Sequence, residues 1–256
     1  MPEPRALAIR RMFDAISPRY DLLNHLLSAG IDRRWRAVAA ARVRESLAGD
    51  ARAGVRRVLD VCTGTGDLAL ALLEPWRTER GGGTACRVVG VDFSRPMLER
   101  AREKARRRGR NGDLRLGATD ALRLPFRDGA FDACTIAFGL RNLVDTEGGL
   151  REMTRVLRPG GRLFVLEFGT PRIPGIRQAY ALYFDHLVPA IGGAVSRDDD
   201  AYRYLPRTVA AFPDRERLAA RMAEAGLERV AFRPLTLGIA ILYEGQKPVT
   251  TGSAAV

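Results

Sequence analysis

Residues that bind metals or form cross-links are scarce in this chain. Its 256 residues include three cysteines (Cys62, Cys86, Cys134) and two histidines (His25, His186), with no pair at metal-ligand spacing. That scarcity argues against a disulfide framework or a zinc site, and a reducing cytoplasm is the expected compartment. No apolar run approaches the roughly 18–20 residues that cross a bilayer, so no transmembrane anchor is expected. Met1-Pro2-Glu3-Pro4-Arg5 has no apolar segment behind it, which argues against a secretory signal. Lysine is nearly missing too: of 42 basic residues, all but Lys104 and Lys247 are arginine.

What remains is an ordinary globular balance, 46% apolar and 28% charged, at a length that suits one domain with a short appendage. The net charge is +12. Its densest stretch, Arg100 to Arg110, reads as the outer face of a helix on which Arg100, Lys104 and Arg107 share one side. A solvated face is the preferred reading. A nucleic-acid surface and an anionic membrane surface are the functional alternatives, and charge does not separate them.

The first 50 residues read as three helices, Arg5 to Ile16, Pro18 to Ser28 and Asp32 to Leu47, with Asp32 as a cap for the third. From Arg56 short apolar strands alternate with helices. Strands are expected at 58–62, 87–91, 114–118, 131–138 and 162–168, and a closing pair at 230–233 and 239–244. Helices are expected at 67–73, from a Ser94 cap to about 108, at 146–157 where Pro159-Gly160-Gly161 stops it, at 176–191, and at 215–225 before Gly226. A glycine-rich loop spans 77–85. This alternation predicts a parallel sheet with helices on both faces. The chain divides into an N-terminal helical segment, 1–50, an α/β domain, 51–248, and a small polar tail, 249–256, expected to be disordered.

The strongest local signal is Val58-Leu59-Asp60-Val61-Cys62-Thr63-Gly64-Thr65-Gly66-Asp67. A strand that feeds glycines and then a helix brings backbone close to a ligand at the carboxyl edge of a parallel sheet. Gly64, Gly66 and Ala69 formally fit a dinucleotide fingerprint, which seats a pyrophosphate on the helix N-terminus. Asp60 and Asp67 put negative charge at that end and would repel it. A ligand carrying an amine and a sulfonium, such as S-adenosylmethionine, tolerates both. Asp92 ends the next strand, where a carboxylate can accept both hydroxyls of a ribose. Asp120 and the amide of Ala121, in the loop after the third strand, could read an adenine ring.

Taken together, these residues resemble the menaquinone and ubiquinone biosynthesis C-methyltransferases. The shared motifs are Tyr20-Asp21-Leu22-Leu23-Asn24 with Trp35, Leu59-Asp60 to Gly64-Thr65-Gly66-Asp67, Leu124-Pro125-Phe126 to Phe131-Asp132, and Phe138-Gly139-Leu140-Arg141-Asn142. Arg155 to Gly161, Leu163 to Pro171, Arg177 to Pro189 and Tyr202 to Pro213 extend the match over residues 12 to 247. The resemblance implies a class I S-adenosylmethionine-dependent methyltransferase: a Rossmann-like seven-stranded sheet with its last strand antiparallel, here under an N-terminal helical lid. It implies cofactor contacts at Thr65, Asp92, Asp120 and Ala121, beside Asp60, Gly64 and Gly66 of the loop. Where many members carry serine before the FGLRN motif, this chain has Ala137.

The implied reaction moves a methyl group from S-adenosylmethionine to a ring carbon of a polyprenylated quinol. The stretch Arg177 to Phe184 leans toward demethylmenaquinol; the benzoquinol of ubiquinone biosynthesis is the alternative. Reduction makes the ring electron-rich, so the site should stabilise a phenolate-like oxygen. Arg141 is too basic to be an ordinary base; it can stabilise that oxygen or hold a water, while Asn142 binds a ring oxygen. Tyr20 joins them by its place in the motif. His25 is read as a packing residue. Arg10, Arg11 and Arg19 beside Met12, Phe13, Ile16, Leu22, Leu23, Leu26 and Leu27 fit both a lid and a face that docks on the anionic inner surface of the cell membrane. A homodimer completes the expected partners. An RNA methyltransferase and a non-catalytic scaffold are the readings from other classes. The basic stretches lack interleaved aromatics, so no nucleic-acid partner is expected.

Overall fold

Strands buried on both faces read as continuous apolar runs, and that is how this sheet is made. In the computed structural model, which describes residues 4–49, 54–74, 86–110, 112–183, 208–209 and 211–249, seven strands form one sheet. They are β1 (Arg56–Val61), β2 (Cys86–Asp92), β3 (Leu114–Ala118), β4 (Phe131–Ala137), β5 (Leu157–Phe168), β6 (Glu228–Leu235) and β7 (Ala240–Gln246). Their order is β3-β2-β1-β4-β5-β7-β6. The first five are parallel, and β7 runs antiparallel to both β5 and β6. The order reverses between β1 and β4, which opens a crevice at their carboxyl ends.

The pleat sends neighbouring residues to opposite cores. Val58, Val88, Ala133 and Phe164 join one core, under α3 (Ile31–Ala48) and α4 (Asp67–Leu72). Leu59, Val91, Cys134 and Val165 join the other, with Met153 of α6 (Thr146–Val156) and Leu218 and Met222 of α8 (Arg215–Glu224). Further helices among the described residues are α1 (Pro4–Ile16), α2 (Tyr20–Leu27), α5 (Arg95–Arg107) and α7 (Pro174–Leu182). Among the described residues, no helix is long and apolar enough to cross a membrane.

Three expectations are corrected. Gly30, left-handed at φ 75°, takes the cap position before α3, while Asp32 is buried and accepts from Ser28 Oγ at 2.6 Å, His25 Nδ1 at 3.0 Å and the Arg36 guanidinium. Strand β5 begins at Leu157, so Pro159-Gly160-Gly161 lies inside it rather than before it. The residue ahead of a proline avoids helical angles, which turns the chain extended at once. Helix α7 starts at Pro174, two residues before the expected Ile176. The loop expected at 77–85, His186, the second half of the 176–191 stretch and the tail from 250 onward lie outside the described residues.

Candidate active site

A cavity of about 330 Å³ sits in the crevice where β1, β2 and β4 end. Its floor is strand-end and loop backbone; Ala6, Leu7, Arg10 and Phe13 of α1, with Tyr20, close it from above. Gly64, Asp92, Asp120, Ala121, Asn142 and Tyr20, all expected site residues, line it. Asp60, Thr65, Gly66 and Arg141 do not, and each has a distinct job.

Asp92 is the best-prepared acceptor. Its Oδ2 accepts from Gly64 N at 2.9 Å and its Oδ1 from Ser94 N at 2.9 Å. Burial pushes its pKa up, while amides of Ser94, Gly64 and Phe93 pull it back. Each carboxylate oxygen accepts more than one hydrogen bond, so both keep capacity for a vicinal diol. Asp120 accepts from Leu122 N at 2.9 Å, which fixes its turn on the adjoining wall. Gly64 (φ 55°) borders the cavity with bare backbone.

Gly66 serves packing instead: a Cβ there would lie 3.0 Å from Ala101 Cβ of α5. Asp60 lies beneath the loop, 1% exposed, accepting from Thr63 Oγ1 and Thr135 Oγ1 at 2.6 Å each. Burial lifts its pKa to about 6, against the pull of those two hydroxyls. Thr65 turns away from the cavity, donating to Asp21 Oδ1 at 2.5 Å and accepting from Lys104 Nζ at 2.9 Å. Asp67 is paired with Lys104 at 2.7 Å. Repulsion by Asp60 and Asp67 is therefore not what selects the ligand, since one is sealed below and the other neutralised. The acids that face the cavity are Asp92 and Asp120.

The segment Phe138 to Asn142 explains itself as a turn. Phe138 is left-handed (φ 56°), costly for an aromatic residue. Its carbonyl accepts from Arg141 Nη1 at 2.8 Å and Asn142 Nδ2 at 3.3 Å, so both side chains hold the strained corner. Gly139 has an ordinary φ of −110°, so its backbone does not require glycine. It is glycine because a Cβ would stand 2.5 Å from Cys62 Cβ. Arg141 also bonds Glu167 Oε2 at 2.7 Å and lies 5.1 Å from the Phe168 ring. Its side chain is 8% exposed, so the buried pair keeps it behind the cavity wall rather than in it. Asn142 does reach the cavity.

Phe138 belongs to an aromatic block with Phe168 (4.6 Å) and Trp35 (6.0 Å), and the Arg36 guanidinium lies 5.3 Å from the Phe138 ring. Tyr20 meets Phe13 edge-on at 6.1 Å. Burial raises the Tyr20 pKa, against an Asn24 hydrogen bond and the charges of Arg36 and Arg141. It is thus a protonated donor at neutral pH. His25 is spent on Asp32 and on Arg33, whose Nε lies 3.3 Å away. No cluster that could hold a metal occurs among the described residues. Sequence reading missed Glu167, Asp14, Asp21 and Lys104 as working residues. The one available signal was the rarity of lysine.

Residues 3–247 match the ubiE/COQ5 methyltransferase family. A demethylmenaquinone methyltransferase of Thermus thermophilus is 49% identical, over 93% of this chain and all of its own. A ubiquinone/menaquinone biosynthesis C-methyltransferase UbiE of a Geobacter species is 45% identical over 93% of this chain and 96% of its own. The fold is shared with a solved S-adenosylmethionine-dependent methyltransferase of Thermotoga maritima, a possible histamine N-methyltransferase: TM-score 0.61, 19% identity, 93% of this chain and 99% of that one.

Proposed function

Because this chain belongs to the ubiE/COQ5 methyltransferase family, we propose that it methylates a ring carbon of demethylmenaquinol, with S-adenosylmethionine as donor. The single observation that carries this reading is the cavity itself. Strand-end acids suited to a nucleoside, Asp92 and Asp120, share it with Tyr20, Asn142 and an apolar roof suited to an aromatic ring.

When bound, S-adenosylmethionine supplies a methyl group on a positively charged sulfur. Asp92 would hold the ribose diol, and Asp120 with the Ala121 amide would read the base. Gly64 admits the ligand against bare backbone. Asp60, Thr65 and Gly66 support that loop from below and behind. Tyr20, kept protonated by burial, donates to a quinol oxygen as negative charge builds there. Asn142 binds the second ring oxygen or a water that carries off the displaced ring proton. Arg141 holds the corner that presents Asn142.

Residues 1–50 act as a lid on the domain at 51–248. Leu22 and Leu26 on α2 and Leu182 on α7 are exposed, at 60%, 48% and 62%. The two helices meet where the Tyr183 hydroxyl donates to the Leu27 carbonyl. With Arg19 and Arg177 exposed nearby, this face docks on an anionic membrane, where a polyprenyl tail is anchored.

The test is methyl transfer, followed by mass spectrometry, to reduced demethylmenaquinone and separately to the reduced benzoquinone precursor of ubiquinone. Methylation of the naphthoquinol is expected. Methylation of the benzoquinol alone would replace this substrate, and methylation of neither would overturn the reading.

A further inference from the structure

A chain that writes nearly every cation as arginine has kept a lysine at 104, and its surroundings require one. Lys104 Nζ lies 2.6 Å from Asp21 Oδ2, 2.7 Å from Asp67 Oδ1 and 2.9 Å from Thr65 Oγ1. An ammonium carries three donors on one atom, and here three acceptors surround that atom. A planar guanidinium spreads its donors over a wide fork and cannot converge on three acceptors that close. Thr65 closes the ring by donating to Asp21 Oδ1 at 2.5 Å. Arg95, Arg102, Arg106 and Arg107 of the same helix are exposed as a solvated face should be, while Lys104, like Arg100, is half-buried.

Its three partners come from different parts of the site. Asp21 lies on α2, next to Tyr20, which lines the cavity. Thr65 lies next to Gly64, which also lines it, and Asp67 opens α4. The ring thus fastens the N-terminal helices to the glycine loop one residue from the cavity on both sides. A second polar tie from these helices to this region is Ser94 Oγ donating to Asp14 Oδ1 at 2.5 Å, beside Asp92.

We propose that Lys104 is a positioning residue that latches α2 onto the glycine loop, so that S-adenosylmethionine enters and leaves only when the Asp21–Lys104–Thr65 ring opens. The latch rests on the cavity being the cofactor site. Loss of the ammonium frees α2 without touching the walls that bind the ligand, so release accelerates more than binding chemistry changes.

The test is a double-mutant cycle on the full chain, with release of labelled S-adenosylmethionine measured by chase and hydrogen exchange followed over residues 12–27. Lys104→Met and Asp21→Asn should each speed release about tenfold, and the double variant should be no faster than either, because both break one ring. Exchange at 12–27 should rise in step, and Arg107→Met should leave both readouts unchanged. Unaltered release, or multiplicative effects in the double variant, would overturn the latch. Should Lys104→Met fail to fold, Asp21→Asn against Thr65→Val decides the same question. Failure of the parent protein to bind S-adenosylmethionine would instead overturn the cofactor site on which the latch rests.

Discussion

Arg141 and Glu167 form a buried ion pair, Nη1 to Oε2 at 2.7 Å, with Glu167 also accepting from the backbone of Arg141 and Phe168 at 3.2 and 3.1 Å. The carboxylate is satisfied by three donors, and the guanidinium is aimed at the Phe138 corner. Removing one member of such a pair leaves a charge without compensation, which costs about 3–5 kcal/mol. Glu167→Ala should destabilise the protein by that amount in denaturant unfolding. Arg141→Lys keeps the charge but gives up the planar guanidinium that lies 5.1 Å from the Phe168 ring. Turnover should fall at least about tenfold with cofactor affinity nearly unchanged. Parent-level turnover in the lysine variant would remove Arg141 from the reaction.

Asp92 should govern cofactor affinity. Asp92→Ala deletes the acceptors for a diol and orphans the amides of Gly64 and Ser94. Hydrogen bonds to a charged group contribute about 1.5–3 kcal/mol each, so affinity should drop about a hundredfold, and about tenfold for Asp92→Asn. Calorimetric titration with S-adenosylhomocysteine measures both, and equal affinity across the three proteins contradicts the assignment.

Asp60 makes stability depend on pH in an unusual direction. Its folded pKa, about 6, lies above the ordinary 3.8 because burial disfavours the charged form. Its contribution is therefore complete below the unfolded value and is lost as pH rises through the folded one. Relative to Asp60→Asn, the parent should lose roughly 2 kcal/mol between about pH 4 and pH 7. Unfolding curves for both proteins at both pH values test this, and a constant difference refutes it.

The exposed leucines should carry membrane docking. Burying one leucine contributes about 1.5–3 kcal/mol, so placing aspartate at Leu22 and Leu26 together should cut partition into anionic vesicles more than about a hundredfold. Methylation of a short-chain, water-soluble quinol should persist in the same variant. Flotation assays decide, and equal binding of parent and variant would place docking elsewhere.

Much of this architecture could be read along the chain, because strand and helix signals are local. The apolar runs of β1 and β4 mark buried strands, Ser94 caps α5 through Met97 N at 3.4 Å, and β3 spans the expected residues. Gly64, Asp92 and Asp120, which line the cavity, were legible as candidates for the same reason: they lie at or just past the carboxyl ends of β1, β2 and β3. The motif Phe138 to Asn142 was also visible as a signal, but not as a turn. Its logic depends on Cys62 and Glu167, which reach it from the turn just past β1 and from β5.

The roles that escaped the sequence belong to side chains whose partners are far away along the chain. Thr65 and Gly66 look like cofactor contacts beside Gly64, yet one faces Asp21 and the other Ala101. Lys104 looks like one more charge on a solvated helix until Asp21, Thr65 and Asp67 surround it. Periodicity fixes which face of an element is apolar, and spacing fixes where a loop can approach a ligand. Which charge meets which across 40 or 80 residues is set only when helices and sheet pack, because a hydrogen bond is short-ranged and directional.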